Sequence, residues 1–128
     1  ITTNNPQAAT VLGEAIAQAW PDPAKRPLAL IGILRDKDAE GIVQALSPYV
    51  SGFVCTAPES PRAIAADELA KVVETITGSP CPTVPIGAVS PAWLAFTAPP
   101  AGLVVTGSLY TVGQVRSTVV LGPARLAR

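Results

Sequence analysis

The sequence predicts an α/β domain in which a parallel sheet lies between two layers of helices. Short, continuous apolar runs at 28–34, 52–55 and 103–105 alternate with stretches whose apolar residues recur every three or four positions. Strands that alternate with helices in this way are joined by parallel crossovers, which make a three-layer sandwich. Each run also ends in a polar loop that begins a helix. Because open parallel sheets bind ligands beyond the carboxyl ends of their strands, we expect a functional site in these loops.

The composition describes one globular domain and argues against several functions. The 128 residues are 48% hydrophobic and 14% charged, which suits a chain with one buried core. Nine basic residues balance nine acidic ones and only 5% are aromatic, so no nucleic-acid partner is expected. No apolar run approaches the roughly 20 residues of a membrane span, so no membrane partner is expected either.

The chain start and the cysteines indicate the protein's setting. No signal-peptide pattern is visible, so we expect a cytoplasmic protein. Ile1-Thr2-Thr3 looks like the tail of a strand, so we expect the chain to be a piece of a longer protein. Cys55 and Cys81 are interpreted as buried thiols in a reducing compartment, with a disulfide as the alternative. With no His and only two Cys, a zinc site is excluded.

The periodicity and the turn-forming residues predict alternating elements. In chain order these are helix 6–20, strand 28–34, helix 38–46, strand 51–56, helix 65–77, strand 83–86, helix 90–96, strand 102–105, a helix beginning within 108–115, and strand 119–121.

The first helix and the first strand have the clearest signals. Asn5 can cap the helix, with Pro6 as its first residue. Its apolar face is predicted from the three-and-four spacing of Ala8, Val11, Leu12, Ala15, Ile16 and Ala19. The run 28–34 is apolar throughout, as expected of a strand that is covered on both faces.

The later elements follow the same reasoning. Helix 38–46 is expected to begin near Asp36 or Lys37 and to bury its apolar residues, Ile42, Val43 and Leu46. Helix 65–77 places Leu69, Val72, Val73 and Ile76 on one face. Gly78 ends that helix, and Ser90 with Pro91 begins the next. Prolines weaken the prediction of strand 83–86.

Each of the three polar loops has a structural and a functional interpretation. The charges at 35–38 can simply cap a helix, and the prolines at 57–62 can simply fix a turn. Gly107 would let a backbone approach closely, and Ser108 can cap a helix or help hold a carboxylate or phosphate. The glycine-rich phosphate motifs of nucleotide-binding domains are absent from the sequence.

Taken together, the loops resemble those of one family. Leu-Arg-Asp-Lys-Asp at 34–38, Thr-Ala-Pro-Glu-Ser-Pro-Arg at 56–62 and Val-Thr-Gly-Ser-Leu-Tyr-Thr-Val-Gly at 105–113 resemble the C-terminal domain of folylpolyglutamate synthase/dihydrofolate synthase, in its order and at about its spacing. Asn-Pro-Gln-Ala-Ala at 5–9 is similar to the stretch after that domain's first strand. The family belongs to the Mur ligase superfamily, and the resemblance extends from about Thr3 to Arg116.

The resemblance implies a fold, an activity and partners. The fold is a Rossmann-like Mur ligase C-terminal domain with a mainly parallel six-stranded sheet, occupying the whole of 1–128. The activity is that of the complete ATP-dependent ligase, which joins L-glutamate to dihydropteroate or a folate through an acyl phosphate. ATP and Mg²⁺ are held mainly by an N-terminal ATPase domain, so no cofactor and no activity are expected for this domain alone. Its uncovered faces, or an unpaired edge strand, would support a homodimer of the isolated domain.

The resemblance also implies site residues. Lys37 and Ser108 are expected to meet the glutamate carboxylates, with Asp36, Arg62 and Tyr110 on the same rim. Asn4 and Asn5 are expected on the nucleotide side. No catalytic residue and no metal ligand is assigned to this chain.

The start of the chain departs from the family pattern, which reads Asp-Gly-Ala-His-Asn-Pro where this sequence has residues 1–6. Ile1 replaces the family's Asp and cannot bind Mg²⁺ through its side chain, and Asn4 replaces a His and cannot take a proton. Either the protein is a degenerate, non-catalytic homologue that serves as a binding or interaction module, or its first residues are not those of the natural chain. An unrelated doubly wound binding domain is a third interpretation.

Overall fold

Helices and strands alternate along the chain as predicted, except that no strand separates the third helix from the fourth. The computed structural model describes residues 3–97, 99–108 and 111–113. Its elements are α1 (Pro6–Ala19), β1 (Leu28–Gly32), α2 (Ala39–Leu46), β2 (Gly52–Cys55), α3 (Ala66–Thr77), α4 (Pro91–Thr97) and β3 (Leu103–Gly107). Residues 111–113 are helical, and none of the helices in the described ranges is long and apolar enough to cross a membrane.

The strands form one parallel sheet in the order β2-β1-β3. Leu30 in the middle of β1 lies opposite Val54 of β2 and Val105 of β3, so the three strands end at the same edge. The described part of the chain therefore confirms a parallel α/β fold but contains three strands and not the six that the resemblance implies. Predicted strand 119–121 and residues 1–2 lie outside the described residues.

Two apolar clusters, one on each face of the sheet, make the three layers. Ala29 and Ile31 of β1 belong to the cluster that includes the buried residues of α1, α2 and α3. Leu30, between them, belongs to the second cluster, which includes Leu94 of α4. Because successive side chains of a strand point to opposite faces, the apolar run of β1 supplies both clusters, as expected of a covered strand.

The predicted helix ends are largely confirmed. The Asn5 side chain accepts the Ala8 amide at 2.8 Å at the start of α1. Gly78 ends α3 with a φ of 73°, and Ser90 Oγ accepts the Trp93 amide at 3.1 Å at the start of α4. At α2 the cap is Asp38, which accepts the Gly41 amide at 2.9 Å, so Asp36 and Lys37 lie just before the cap, as predicted.

The buried face of α1 differs from the predicted one. Val11 is 68% exposed, whereas Ala9, Leu12, Gly13 and Ile16 are buried. The reason lies at Gly13, where a Cβ atom would collide with the ring of Tyr49. A glycine without a side chain thus lets an aromatic ring pack directly on the helix, so the buried face includes Gly13, which a search for apolar side chains does not select.

Predicted strand 83–86 is wrong in the structure. Only Thr83 forms a bridge with β2, opposite Cys55. The Cys55 amide donates to the Pro82 carbonyl at 3.0 Å, and the Val84 amide donates to the Cys55 carbonyl at 2.9 Å. Pro85 has no amide hydrogen to donate, so the pairing stops there and a 3-10 turn, Ile86–Ala88, follows.

The two cysteines are free and buried, as predicted, but they are also in contact. Their sulfur atoms lie 3.5 Å apart, between the end of β2 and the segment after α3. The Cys81 sulfur also lies 3.3 Å from the Phe53 carbonyl oxygen, to which it can donate. The hydrogen bond with Cys81, together with burial, raises the pKa of the Cys55 thiol, which therefore stays protonated.

Candidate functional site

A cavity of about 180 Å³ lies where the strands end. It is lined by Thr3, Asn4, Ile33, Leu34, Lys37, Arg62 and Ser108. Those residues come from the loops after β1, β2 and β3 and from the segment before α1. The volume is below the roughly 300–1,000 Å³ of sites that hold drug-sized ligands, so the cavity suits a small molecule or one end of a larger one.

The loops after β1 and β2 are joined to each other by backbone hydrogen bonds. The Arg35 amide donates to the Arg62 carbonyl at 2.6 Å, and the Ile64 amide donates to the Ile33 carbonyl at 3.0 Å. Leu34 and Ala63 form an antiparallel bridge between these two bonds. This pairing explains why β1 ends at Gly32 although the apolar run continues to residue 34. It also brings Arg62 to the cavity.

The electrostatics of the cavity rim are set by three charged side chains. Arg62 Nη2 lies 2.7 Å from Asp36 Oδ2, and Lys37 Nζ lies 4.0 Å from the same oxygen. One carboxylate faces two cations, so the trio carries a net positive charge. Such a rim favours an anionic ligand group, and Lys37, at the longer distance, is the cation less committed to Asp36.

The ion pair between Asp36 and Arg62 predicts a measurable titration. The hydrogen bond from Arg62 lowers the pKa of the Asp36 carboxyl, so the pair persists above the usual carboxyl pKa and is lost as pH falls through the lowered one. We expect Arg62→Ala to raise the pKa of Asp36 towards its usual value, measured by carbon-13 NMR titration.

Arg35→Ala is the matched control for that titration. Arg35 forms a two-pronged ion pair with Glu68, at 2.9 and 3.1 Å, and both of these side chains are exposed. Its removal should raise the pKa of Glu68 and leave that of Asp36 unchanged, because the hydrogen bond from Arg35 is what lowers the pKa of Glu68. An Asp36 pKa that responds equally to both substitutions would contradict the pairing described here.

Close contacts at the end of β3 hold the remaining wall of the cavity. The Thr3 amide donates to the Gly107 carbonyl at 2.8 Å, and the Thr3 and Thr106 hydroxyls lie 3.2 Å apart. These bonds tie the segment before α1 to the end of the sheet and place Asn4 at the cavity. Gly107 has a φ of 112°. The amide of the next residue, Ser108, donates to the Gly32 carbonyl at 2.8 Å.

The structure brings together most of the residues that the sequence singles out. Lys37, Arg62, Ser108 and Asn4 all line the cavity. Asp36 is joined to it through its ion pair with Arg62. Asn5 instead caps α1 through its side-chain oxygen, and Tyr110 lies outside the described residues.

Sequence reasoning missed the buried hydroxyls and apolar residues of the cavity. Thr3, Ile33 and Leu34 line the cavity. Thr111 does not line it, but its hydroxyl contacts that of Ser108. A sequence signal existed for Thr111, which follows Ser108 by three residues as helix-capping partners do. Thr3 had no such signal, since its partner Thr106 is 103 residues away.

The described residues do not fit the Mg²⁺ ion that the resemblance associates with the complete enzyme. No group of three or more His, Cys, Asp or Glu side chains that could hold a metal is found in that part of the chain. Mg²⁺ prefers several oxygen ligands, and the Asp36 carboxylate is already paired with a cation. We therefore assign no metal to the described residues.

Comparison with known proteins gives matches among solved structures only. No protein-family model matches the sequence, and no curated protein matches it. A folylpolyglutamate synthase from Mycobacterium tuberculosis, solved with ADP and AMPPCP, matches with a TM-score of 0.74 and 28% identity over 91% of this chain. This chain is similar to part of folylpolyglutamate synthase/dihydrofolate synthase.

Further structures of folylpolyglutamate synthase/dihydrofolate synthase agree with that match. The bifunctional enzyme from Yersinia pestis, complexed with AMPPNP and Mn, gives a TM-score of 0.70 at 27% identity. A bifunctional enzyme with Mn, AMPPNP and L-glutamate bound gives 0.71 at 28% identity. In each case 91% of this chain is covered, but the chain spans only 27–28% of the length of these three enzymes. The family resemblance predicted from the loop motifs is thereby confirmed.

Proposed function

We propose that this chain is the C-terminal domain of an ATP-dependent ligase that joins L-glutamate to dihydropteroate or a folate. One observation carries the proposal: a small, net cationic cavity lies at the strand ends of a domain similar to folylpolyglutamate synthase. The chain spans 28% of the first of those enzymes, which supports a longer protein whose other part, an ATPase domain, holds ATP and Mg²⁺. On this proposal the domain alone is inactive.

The reaction requires that glutamate be held in place while its amine attacks. ATP transfers its terminal phosphoryl group to the pteroate or folate carboxylate, and the amine of glutamate then attacks the acyl carbon as phosphate leaves and a proton is lost. The task proposed for this chain is to hold glutamate with its amine aimed at that carbon. Lys37 and Arg62 would meet the glutamate carboxylates, Asp36 would hold Arg62 in place, and Tyr110 would complete the rim.

Replacing Lys37 tests the proposal. In the complete protein, Lys37→Ala is expected to weaken L-glutamate binding about 10- to 100-fold, because a hydrogen bond to a charged group is worth roughly 1.5–3 kcal/mol. The measurement is calorimetric titration with L-glutamate in the presence of a non-hydrolysable ATP analogue. Lys25→Ala, which removes an exposed lysine from a 3-10 turn outside the cavity, is the control. Equal affinities for the K37A and K25A variants would contradict the proposal.

A second candidate function rests on Asn4. The family pattern has a His at this position, and the structure places Asn4 in the cavity lining, where it cannot take up a proton. This favours a degenerate homologue that binds a ligand but does not catalyse the ligase reaction. The two functions are separated by ADP release: a ligase forms ADP when given ATP, glutamate and a folate, whereas a binding module retains glutamate affinity and forms none.

A further inference from the structure

Among the described residues, five hydroxyl side chains are buried at the carboxyl ends of the strands, just beyond them, or in the chain segment tied to β3. They are Thr3, Thr56, Thr106, Ser108 and Thr111, each at most 5% exposed. Thr3 and Ser108 line the cavity, and Ser108 is the one that contacts Thr111. A hydroxyl group has one hydrogen to donate and two lone pairs, so its bonds inside the protein determine what it can offer a ligand.

The Gly32 carbonyl fixes the proton of Thr111. This oxygen accepts the Ser108 amide at 2.8 Å and lies 3.1 Å from Thr111 Oγ1. A carbonyl oxygen has no proton, so the Thr111 hydroxyl is the donor in the second bond. The alternative orientation would leave two buried oxygen atoms facing each other at 3.1 Å without a hydrogen between them, which is unfavourable.

The proton of Ser108 is fixed in turn. Ser108 Oγ lies 2.9 Å from Thr111 Oγ1, and the Thr111 amide donates to Ser108 Oγ at 3.1 Å. Because the hydrogen of Thr111 is committed to Gly32, the Ser108 hydroxyl must donate to Thr111 Oγ1. One lone pair of Ser108 is occupied by the amide, its hydrogen is used, and the second lone pair remains.

We propose that Thr111 is a positioning residue that fixes Ser108 as a hydrogen-bond acceptor towards the cavity. The ligand group that Ser108 contacts is then a donor. Resting on the proposed function, this assigns the amino group of glutamate to Ser108 and leaves the carboxylates to Lys37 and Arg62. The assignment differs from the carboxylate contact that the family resemblance implies for Ser108, since a carboxylate has no hydrogen to donate.

Two ligands that differ only in the amine test this assignment in the complete protein. L-Glutamate and glutarate carry the same two carboxylates, but glutarate has no amino group. We expect Ser108→Ala to weaken L-glutamate binding about tenfold and glutarate binding less than twofold, since only the amine loses a partner. Thr111→Val frees the Ser108 hydrogen, so the preference for L-glutamate over glutarate should fall, and Thr111→Ser should restore it because serine keeps the hydroxyl.

The outcomes separate this inference from the proposed function. If S108A weakens both ligands equally, or if T111V leaves the preference unchanged, the assignment of the amine is overturned while the glutamate site stands. If Thr111 had a purely structural role, T111V would lower the affinities for L-glutamate and for glutarate by the same factor, and the same titrations measure this. If the unchanged protein binds neither dicarboxylate, the proposed function fails and the inference fails with it. Should S108A not fold, the T111V and T111S pair still decides the question.

Discussion

Gly107→Ala is expected to lower the free energy of unfolding of the 128-residue chain by about 2–5 kcal/mol, from backbone strain and overpacking together. The φ of Gly107 is 112°, a conformation that a residue with a Cβ atom rarely adopts. The added Cβ would also lie against the Gly32 carbonyl oxygen, which belongs to the central strand of the sheet and cannot easily move aside. Urea denaturation measures the loss.

Two other glycines separate these contributions. Gly78 has a φ of 73° but has no atom within 4 Å of an added Cβ, so Gly78→Ala carries only the conformational cost of about 1–2 kcal/mol. Gly87 has neither restriction, and Gly87→Ala should be close to neutral. If Gly107→Ala lowered the free energy of unfolding by no more than Gly78→Ala does, this would contradict the close approach of β1 and β3 at the cavity.

Leu46→Ala is expected to destabilise the chain by about 2–5 kcal/mol, as large-to-small substitutions in a packed core do. Leu46 is fully buried at the end of α2, in the cluster that joins α1, α2 and α3 to the sheet. Truncation removes apolar contacts and leaves a cavity that the three surrounding helices can fill only partly. The midpoint of urea denaturation should fall while its slope stays the same.

Val11→Ala is the control for Leu46→Ala. Val11 is 68% exposed on α1 although its spacing in the sequence places it on the apolar face. Its truncation should change stability by no more than about 0.5 kcal/mol. A comparable loss at both positions would show that the buried face of α1 is the one the spacing predicts and not the one described here.

Local chemistry explains how much of the fold the sequence could predict. The Asn5 cap, the Gly78 stop and the Ser90 cap depend on residues within four positions of one another, and all three are confirmed. Strand 83–86 does not form because Pro85 has no amide hydrogen to continue the pairing with β2, a local obstacle that its sequence already indicates. β1 ends two residues before the apolar run does, because Ile33 pairs with a distant loop, and an apolar run does not reveal such pairing.

The candidate site shows the same division between local and distant contacts. The position of Lys37 and Ser108 just after strands placed both at one sheet edge, and the cavity brings them together. Spacing could not predict that Asp36 pairs with Arg62, 26 residues away, because that contact depends on the two loops being joined. Nor could it orient the Ser108 hydroxyl, which depends on a carbonyl in β1.

The proposed function places glutamate in the cavity between Lys37, Arg62 and Ser108. The most direct measurement is a crystal structure of the complete protein grown with L-glutamate and a non-hydrolysable ATP analogue. We expect glutamate in this cavity, with a carboxylate on Lys37 and its amino group on Ser108. Glutamate bound elsewhere, with this cavity filled only by water, would contradict it.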